Sequence, residues 1–359
     1  MKRLIFLINI TVLAVASSFA QTKVIKVNAL KTNDYGVRYT LPKTQLKVDI
    51  EYSETIQQAG TYAKYASRYL GVKDEKVIFE DQTLYTLDKV TVTTTGVPNK
   101  EQSYLISFKT KTTSPFVYLT EDGMICSINA EYIPENQPVK NEFQAETATE
   151  ITIQPQSIYT EEYLRAGSIS KMAEVAAKNI FTIRENRQDI LTGEIENMPK
   201  DGDALKIVLG NLEAQEKLWT ELFTGTAQIV KRTKQITGEP VTEVNHEVLF
   251  RFSKYAGVVD TDDLSGNPVY WNLTDLKTVD IPESDAKKKA KEPQSIVYNI
   301  PGKANLELYF GNQTLLSETI DITQFGTTEL LTPSLFEDKK TQVKIYFYPY
   351  LGAVKEIVQ

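Results

Sequence analysis

The sequence of 359 residues contains one cysteine, Cys126, and one histidine, His246. A single cysteine cannot form a disulfide within the chain, and a single histidine cannot build a His-rich zinc site. No histidine lies near Cys126 in sequence to activate the thiol, and no nucleophile elbow accompanies His246. We therefore expect Cys126 to be a core thiol and His246, which alternates with apolar residues, to pack on the apolar face of its strand.

Motifs that bind nucleotides, metals or acyl groups are also missing. The chain contains no G-x-G-x-x-G, Walker A loop, H-E-x-x-H, C-x-x-C or G-x-S-x-G. The stretch from Asp260 to Asn267 is similar to a calcium loop, but its glycine comes one place late and its closing acid is absent. The sequence therefore predicts no cofactor and no metal ion. A pair of carboxylates remains open as a catalytic device, because spacing in sequence does not report spacing in space.

Strong positive charge and long apolar runs are lacking as well. The formal net charge is −7, which argues against nucleic acid as a partner. The longest apolar run, from Leu4 to Val15, follows two basic residues and precedes Ser18-Phe19-Ala20. It is shorter than the ~20 residues that span a bilayer, and the three-part pattern is that of a secretory signal peptide. We predict cleavage near Ala20, export to the periplasm or the cell surface, and no transmembrane segment in the mature chain.

Alternation of apolar and polar residues is abundant and predicts β-strands over most of the chain. The exception is Glu161 to Thr224, where apolar residues recur at three- and four-residue steps and predict two packed helices. A shorter helix is predicted from Ile56 to Leu70, before Gly71. Strand breaks are predicted at Pro42 and in a turn from Gly96 to Asn99.

These patterns predict an α+β protein in which antiparallel, β-rich N- and C-terminal units of sandwich-like pattern are joined by a central helical pair. The predicted units are the signal peptide at 1–20, an N-terminal β-rich unit with one packed helix at 21–145, the helical pair at 146–225 and a C-terminal β-rich unit at 226–359.

Two segments resemble other segments of the same chain. Tyr39-Thr-Leu-Pro42 is echoed by Tyr298-Asn-Ile-Pro301, and Phe116 to Ile128 aligns without gaps with Ile345 to Ile357. A weak duplication of one β-unit explains both matches, and so does chance similarity between amphipathic strands, whose patterns carry little information. Segments that superpose in a structure would favour duplication.

The densest polar cluster runs from Arg184 to Glu196, between the two long helices. Arginine forks pair with planar acids, so one interpretation is a site for an anionic or sugar ligand. Its candidate residues are Arg184, Arg187, Asp189, Glu194 and Glu196. The other interpretation is a charged helix end that is stabilised by ion pairs.

A row of tyrosines on the short helix also allows two interpretations. Tyr62, Tyr65 and Tyr69 could stack against sugars, or they could flank the apolar stripe of the helix and seal its edge. Aromatic side chains more generally serve to bury area, which favours the role of sealing the edge of the stripe. A facing tryptophan would favour a sugar site, but neither tryptophan of the chain is close in sequence.

Several segments together resemble an uncharacterised family of exported proteins from Bacteroidota. They are the signal peptide, the Tyr39–Thr44 segment, Gly60 to Gly71, the Arg184–Glu196 segment with Thr192-Gly-Glu194, and Phe347 to Gly352. The resemblance covers most of the mature chain and implies export and a shared architecture. It assigns no catalytic residue.

These observations favour a non-enzymatic, exported binding or structural protein of the cell envelope, with an envelope glycan or protein as its partner. The alternative is a hydrolase that acts on glycan or peptidoglycan through two carboxylates. Two acids facing each other at ~5–10 Å across a cleft would favour the hydrolase. Acids that are dispersed or ion-paired would favour the binding protein.

Overall fold

The computed structural model describes residues 23–26, 36–107, 116–132, 158–194, 202–280, 295–332, 335 and 343–358. The predicted signal peptide and the candidate residue Glu196 lie outside these residues. Antiparallel strands dominate the N- and C-terminal parts, and a helical pair lies between them in the chain, so the predicted α+β class is confirmed.

The strands are β1 (Lys23–Lys26), β2 (Gly36–Gln58), β3 (Gln82–Ser107), β4 (Val117–Leu119), β5 (Ile125–Ile128), β6 (Thr226–Gly238), β7 (Val244–Ser253), β8 (Gly257–Val259), β9 (Asn267–Asp275), β10 (Val297–Phe310), β11 (Gln313–Leu330), β12 (Lys344–Tyr348) and β13 (Ala353–Val358). The α-helices are α1 (Ala66–Leu70), α2 (Glu161–Leu164), α3 (Ile169–Thr192) and α4 (Gly202–Thr224).

Three antiparallel sheets result from these strands. The hairpin sheet has the order β1-β3-β2-β6, and the five-stranded sheet has the order β11-β10-β9-β7-β8. The closing sheet has the order β13-β12-β5-β4, so it combines the two strands that follow the long β2–β3 hairpin with the last two described strands. Strand β6, which follows the helices, pairs with β2 from Leu46↔Gly238 to Gln58↔Thr226. The domain boundaries near 145 and 225 stay predictions.

Strands β2 and β3 continue through both predicted breaks. Pro42 lies opposite Pro98, and the register shifts between Thr40 and Pro42. Proline has no N–H, so it is tolerated at a bulge where no ladder hydrogen bond is lost. The predicted break at Pro42 and the predicted turn at Gly96–Asn99 are therefore wrong. A bulge also bends a strand, which lets the two halves of one hairpin face different partners.

The two halves of the hairpin sheet bury separate cores. Tyr39 of β2 packs with Ile125 and Phe347 of the closing sheet. Ile50, further along β2, packs with residues of the five-stranded sheet such as Phe250. The long β2–β3 hairpin therefore takes part in two sheet-on-sheet packings, one with the closing sheet and one with the five-stranded sheet.

A third core lies among the helices. Trp219 and Phe223 of α4 pack with Ile180 of α3 and with Tyr62, which precedes α1. The hydroxyl of Ser168 caps α3 by accepting the N–H of Lys171. None of the described helices is both long enough and apolar enough to span a membrane.

The short helix α1 is shorter than predicted. It begins at Ala66, after a 3-10 turn over Ala63–Tyr65, because β2 extends to Gln58 and uses the residues where the helix was expected to start. The helix ends at Gly71 with φ +64°, in agreement with the predicted left-handed cap.

The segments that resemble each other occupy equivalent places. A long hairpin followed by a short hairpin occurs twice, as β2–β3 with β4–β5 and as β10–β11 with β12–β13. The N–H of Thr40 donates to the carbonyl of Gly123, and the N–H of Asn299 donates to the carbonyl of Gly352, both at 2.9 Å. Thr40 and Asn299 each follow a matched tyrosine, and the two glycines match each other in sequence. This shared hydrogen bond favours duplication over chance.

Candidate functional site

Glu216 of α4 organises the predicted polar cluster. The Nε of Arg184 donates to Oε1 of Glu216 at 2.5 Å, and a terminal nitrogen of Arg187 lies 2.8 Å from Oε2. The two arginines are three residues apart on α3 and so share one helix face. The side chain of Glu216 is 14% exposed. The three side chains form an ion-paired clamp that joins α3 to α4.

The other candidates of this cluster lie apart from the clamp. The carbonyl of Asp189 accepts the N–H of Glu194 at 2.9 Å, which closes the end of α3 around Gly193. Glu194 is exposed. The structure therefore brings together Arg184 and Arg187 with Glu216, a residue whose sequence signal was its interruption of the apolar stripe of α4. A ligand role for the predicted residues stays a prediction.

The tyrosine row packs into the helical core. Tyr62 is buried, and its hydroxyl lies 2.6 Å from the hydroxyl of Tyr163. The hydroxyl of Tyr69 lies 3.3 Å from that of Ser170 at the start of α3. Burial, followed by the hydrogen bond with Tyr62, raises the pKa of Tyr163. These rings therefore join α1 to α2 and α3.

The single cysteine and the single histidine differ in their environments. Cys126 is fully buried in β5, and burial raises the pKa of its thiol to about 11. His246 is exposed, with φ +54°, and its ring stacks on Tyr270 at 4.0 Å between centroids. The prediction that His246 packs on the apolar face is wrong, because a register shift after Val244 turns this part of β7 outward.

Carboxylates of the hairpin sheet are paired with the basic residues of β6. Arg232 binds Glu54, which also accepts the hydroxyl of Tyr85. Lys231 lies 3.0 Å from Asp88. The hydrogen bond from Arg232 lowers the pKa of Glu54. Partial burial raises the pKa of Asp88, but hydrogen bonds from Ser53 and Lys231 outweigh it, so the net shift is downward.

The pKa values of two further carboxyl groups are lowered as well. Backbone and side-chain hydrogen bonds from Ser265 lower the pKa of Asp263, and the hydroxyl of Tyr309 lowers that of Glu307. In the part of the chain that the structure describes, no group of three or more His, Cys, Asp or Glu side chains is placed to hold a metal ion. The lowered pKa values of Glu54, Asp88, Asp263 and Glu307 favour the ionised form of each carboxyl group.

An apolar cleft lies between the hairpin sheet and the five-stranded sheet. Its volume is about 70 Å³. Its walls are formed by side chains of six strands and are almost entirely apolar; they comprise Leu46, Val48, Val92, Ile236, Thr237, Gly238, Leu249, Trp271, Leu306 and Leu308. Thr237 and Gly238 are exposed on β6, the outermost strand of its sheet. The cleft therefore opens to solvent along this edge.

A family model described as a domain of unknown function (DUF4831) matches residues 35–355. No curated protein and no solved structure matches the chain. The match confirms the expected resemblance to an uncharacterised family, and its description carries no activity.

Proposed function

This chain belongs to the DUF4831 family, and we propose that it acts as a non-enzymatic, exported binding protein of the cell envelope. The observation that carries the proposal is the apolar cleft. None of its ten lining residues has a titratable side chain. Such a site can hold an apolar group, and its walls supply no acid, base or nucleophile.

The state of the carboxylates also supports binding over hydrolysis. A glycosidase that uses two carboxyl groups needs one of them protonated, with a raised pKa, to act as the general acid. Glu54, Asp88, Asp263 and Glu307 are all shifted the other way, toward the ionised form. Two of these four are also ion-paired with β6.

The proposed location rests on the N-terminal sequence alone. Lys2 and Arg3, the apolar run after them and the small residues before Gln21 form the pattern of a secretory signal peptide. An envelope glycan or protein as partner also stays a prediction from sequence. The cleft itself does not suit a glycan, because a sugar ring needs polar partners and more room.

Two measurements test the proposed function. Cell fractionation of the expressed full-length chain should recover it outside the cytoplasm, shortened by the predicted signal peptide. The purified chain should release no soluble fragments or reducing ends from peptidoglycan or a glycan panel. Turnover that disappears when one carboxylate is changed to its amide would overturn the proposal in favour of the hydrolase, and a cytoplasmic location would overturn the envelope role.

A further inference from the structure

We propose that a polar patch on the outer face of the five-stranded sheet binds a neutral glycan, with Glu307 and the ring of His246 as its main contacts. This inference rests on the proposed function as a binding protein and adds a site and a class of ligand. It follows from the register of three strands, from the hydrogen bonds around Glu307 and from the backbone conformation of His246.

The register of β9, β10 and β11 defines this outer patch. Leu306 and Leu308 of β10 point into the core beneath the hairpin sheet, so the residues that alternate with them point outward. Residues directly opposite each other on neighbouring strands share a face, which extends the patch to β9 and β11. The outer patch consists of Tyr270, Asn272, Asn305, Glu307, Tyr309 and Ser317, all of them partly or fully exposed.

Glu307 lies at the centre of the outer patch and is held by three donors. The hydroxyl of Tyr309 donates to its Oε2 at 2.6 Å, and the side-chain amides of Asn272 and Asn305 donate to the same carboxylate. These hydrogen bonds, the one from Tyr309 above all, lower the pKa of Glu307. A carboxylate has about four acceptor positions, so Glu307 can accept a further hydroxyl from a ligand.

His246 places an aromatic ring beside this carboxylate. Its backbone has φ +54°, a left-handed conformation that is unfavourable for a residue with a side chain. Its N–H donates to Oδ1 of Asn272 at 2.7 Å, and its ring stacks on Tyr270 at 4.0 Å between centroids with 11° between the planes. Strained residues of this kind are concentrated at functional sites. Because His246 is exposed, the face of its ring that points away from Tyr270 is open to a ligand.

A sugar ring matches this arrangement of groups. The C–H groups on one face of a pyranose pack on the electron-rich face of an aromatic ring such as that of His246. The hydroxyls at its edge both donate and accept hydrogen bonds. The outer patch supplies an acceptor at Glu307, an amide at Asn272 and a hydroxyl at Ser317, the register partner of Glu307 on β11. This face is open to solvent, so it sets no narrow limit on the size of the ligand, unlike the apolar cleft.

The charge of the outer patch favours a neutral glycan over an acidic one. Glu307 is ionised and repels the carboxylate of a uronic acid. The next charged residues on this face, Lys303 and Asp321, lie directly opposite each other and offset each other's charge. Lys303 is four strand residues from Glu307, about 13 Å, which exceeds the Debye length at physiological ionic strength. An acidic sugar is therefore repelled at the centre of the patch.

The experiment is a calorimetric titration of the full-length chain with cellohexaose and chitohexaose as neutral probes and hexagalacturonate as the acidic probe. We expect saturable binding of at least one neutral probe, and at least tenfold weaker binding of hexagalacturonate. Glu307→Gln keeps the shape of the side chain and removes its charge, so it should weaken the neutral probe about five- to tenfold and narrow its advantage over hexagalacturonate. Glu318→Gln is the matched control, because Glu318 of β11 is the register partner of Leu306 on the opposite face and should affect no probe.

A second pair of variants tests the strained, stacked ring. His246→Gly removes the ring and relieves the left-handed backbone, so it should weaken the neutral probe about fivefold. Relief of strain offsets the lost stacking on Tyr270, so the melting temperature should stay about the same. Lys277→Gly relieves a similar conformation, φ +49°, at an exposed position outside the outer patch and should leave binding unchanged.

Three results would overturn the inference: no binding of either neutral probe, tighter binding of hexagalacturonate, or unchanged affinity for the neutral probe in Glu307→Gln or His246→Gly. Each of them would leave the proposed function as a binding protein intact. Release of shorter fragments from a probe would instead remove that function, whatever the measured affinities.

Discussion

Asn299 joins three backbone segments at one point. Its N–H donates to the carbonyl of Gly352, and its side-chain amide donates to the carbonyls of Pro42 at 2.9 Å and Leu351 at 2.8 Å. The residue is 6% exposed, so these carbonyls have little access to water. The bulge of β2, the start of β10 and the turn before β13 are therefore tied together by one amide.

We expect Asn299→Ala to destabilise the protein by about 2–3 kcal/mol, because it leaves two buried carbonyls without their donor. Urea unfolding followed by fluorescence measures this change in free energy. Asn186→Ala, on the exposed side of α3, is the control and should change stability by less than about 0.5 kcal/mol. Equal effects of the two substitutions would contradict the role given to Asn299.

Asp88 makes stability depend on pH. Its pKa is lowered in the folded chain, so its contribution is present above the unfolded pKa of about 3.9 and is lost as the pH falls through the folded pKa. We expect Asp88→Asn to lower stability by roughly 1 kcal/mol at neutral pH and to have little effect at the lowest pH where the protein stays folded. Thermal melts across this pH range measure the difference. Asp122→Asn, in an exposed turn, is the control and should have the same melting temperature as the unmodified protein at every pH in this range.

At the scale of elements, the helix pair depends on its ion-paired clamp as well as on its apolar contacts. Glu216→Gln keeps the shape of the side chain but leaves Arg184 and Arg187 facing a neutral amide. We expect a loss of about 1 kcal/mol, since the arginines are partly exposed and the glutamate is more buried. Urea unfolding measures this loss, and Glu213→Gln on the exposed side of α4 is the control.

The same cluster provides a test of its predicted ligand role. If Arg184 and Arg187 bind an anionic or sugar ligand, changing both to alanine should weaken binding of any glycan that the unmodified chain recognises in a binding screen. Unchanged binding of such a glycan would leave the clamp with its structural role alone.

Which elements the sequence predicts depends on how local their signals are. The start of α3 follows from Ser168 and the end of α4 follows from Gly225, because these residues act on their own backbone. The end of α3 does not follow: the cluster that begins at Arg184 was predicted to lie between the two helices, and this prediction is wrong, because α3 continues to Thr192. The continuity of β2 through Pro42 does not follow from sequence, because it depends on Pro98 more than fifty residues away being placed at the same bulge. The left-handed conformation of His246 likewise depends on strand pairing.

The candidate sites divide along the same line. The polar cluster was visible in sequence because Arg184 and Arg187 are close neighbours, but their partner Glu216 lies on another helix. The apolar cleft could not be predicted from the sequence, because its ten lining residues come from six strands. In each of these strands they follow the pattern that is expected of core residues. Spatial convergence of residues from distant strands is not encoded in any local pattern.

At the scale of the whole molecule, the β2–β3 hairpin connects the N-terminal and C-terminal units that were predicted to be separate. Strand β6 pairs with β2, and β5 pairs with β12, so the predicted N-terminal and C-terminal units share two of the three sheets. We expect the chain to unfold in one cooperative step, with calorimetric and van't Hoff enthalpies that agree. Two resolved transitions, or stable proteolytic fragments ending near residues 145 and 225, would support independent domains instead.

The hydrogen bonds between Tyr39 and Val297 join residues that are 258 positions apart, and those between Thr44 and Gln324 join residues 280 positions apart. Chain entropy opposes the closure of such long loops, and proteins rich in distant contacts fold slowly. The β2–β3 hairpin can form early, but the two cores to which it contributes also need strands from the C-terminal part of the chain. During synthesis the nascent chain therefore carries exposed apolar strand faces almost to its final residue, which makes late folding a built-in property of this topology.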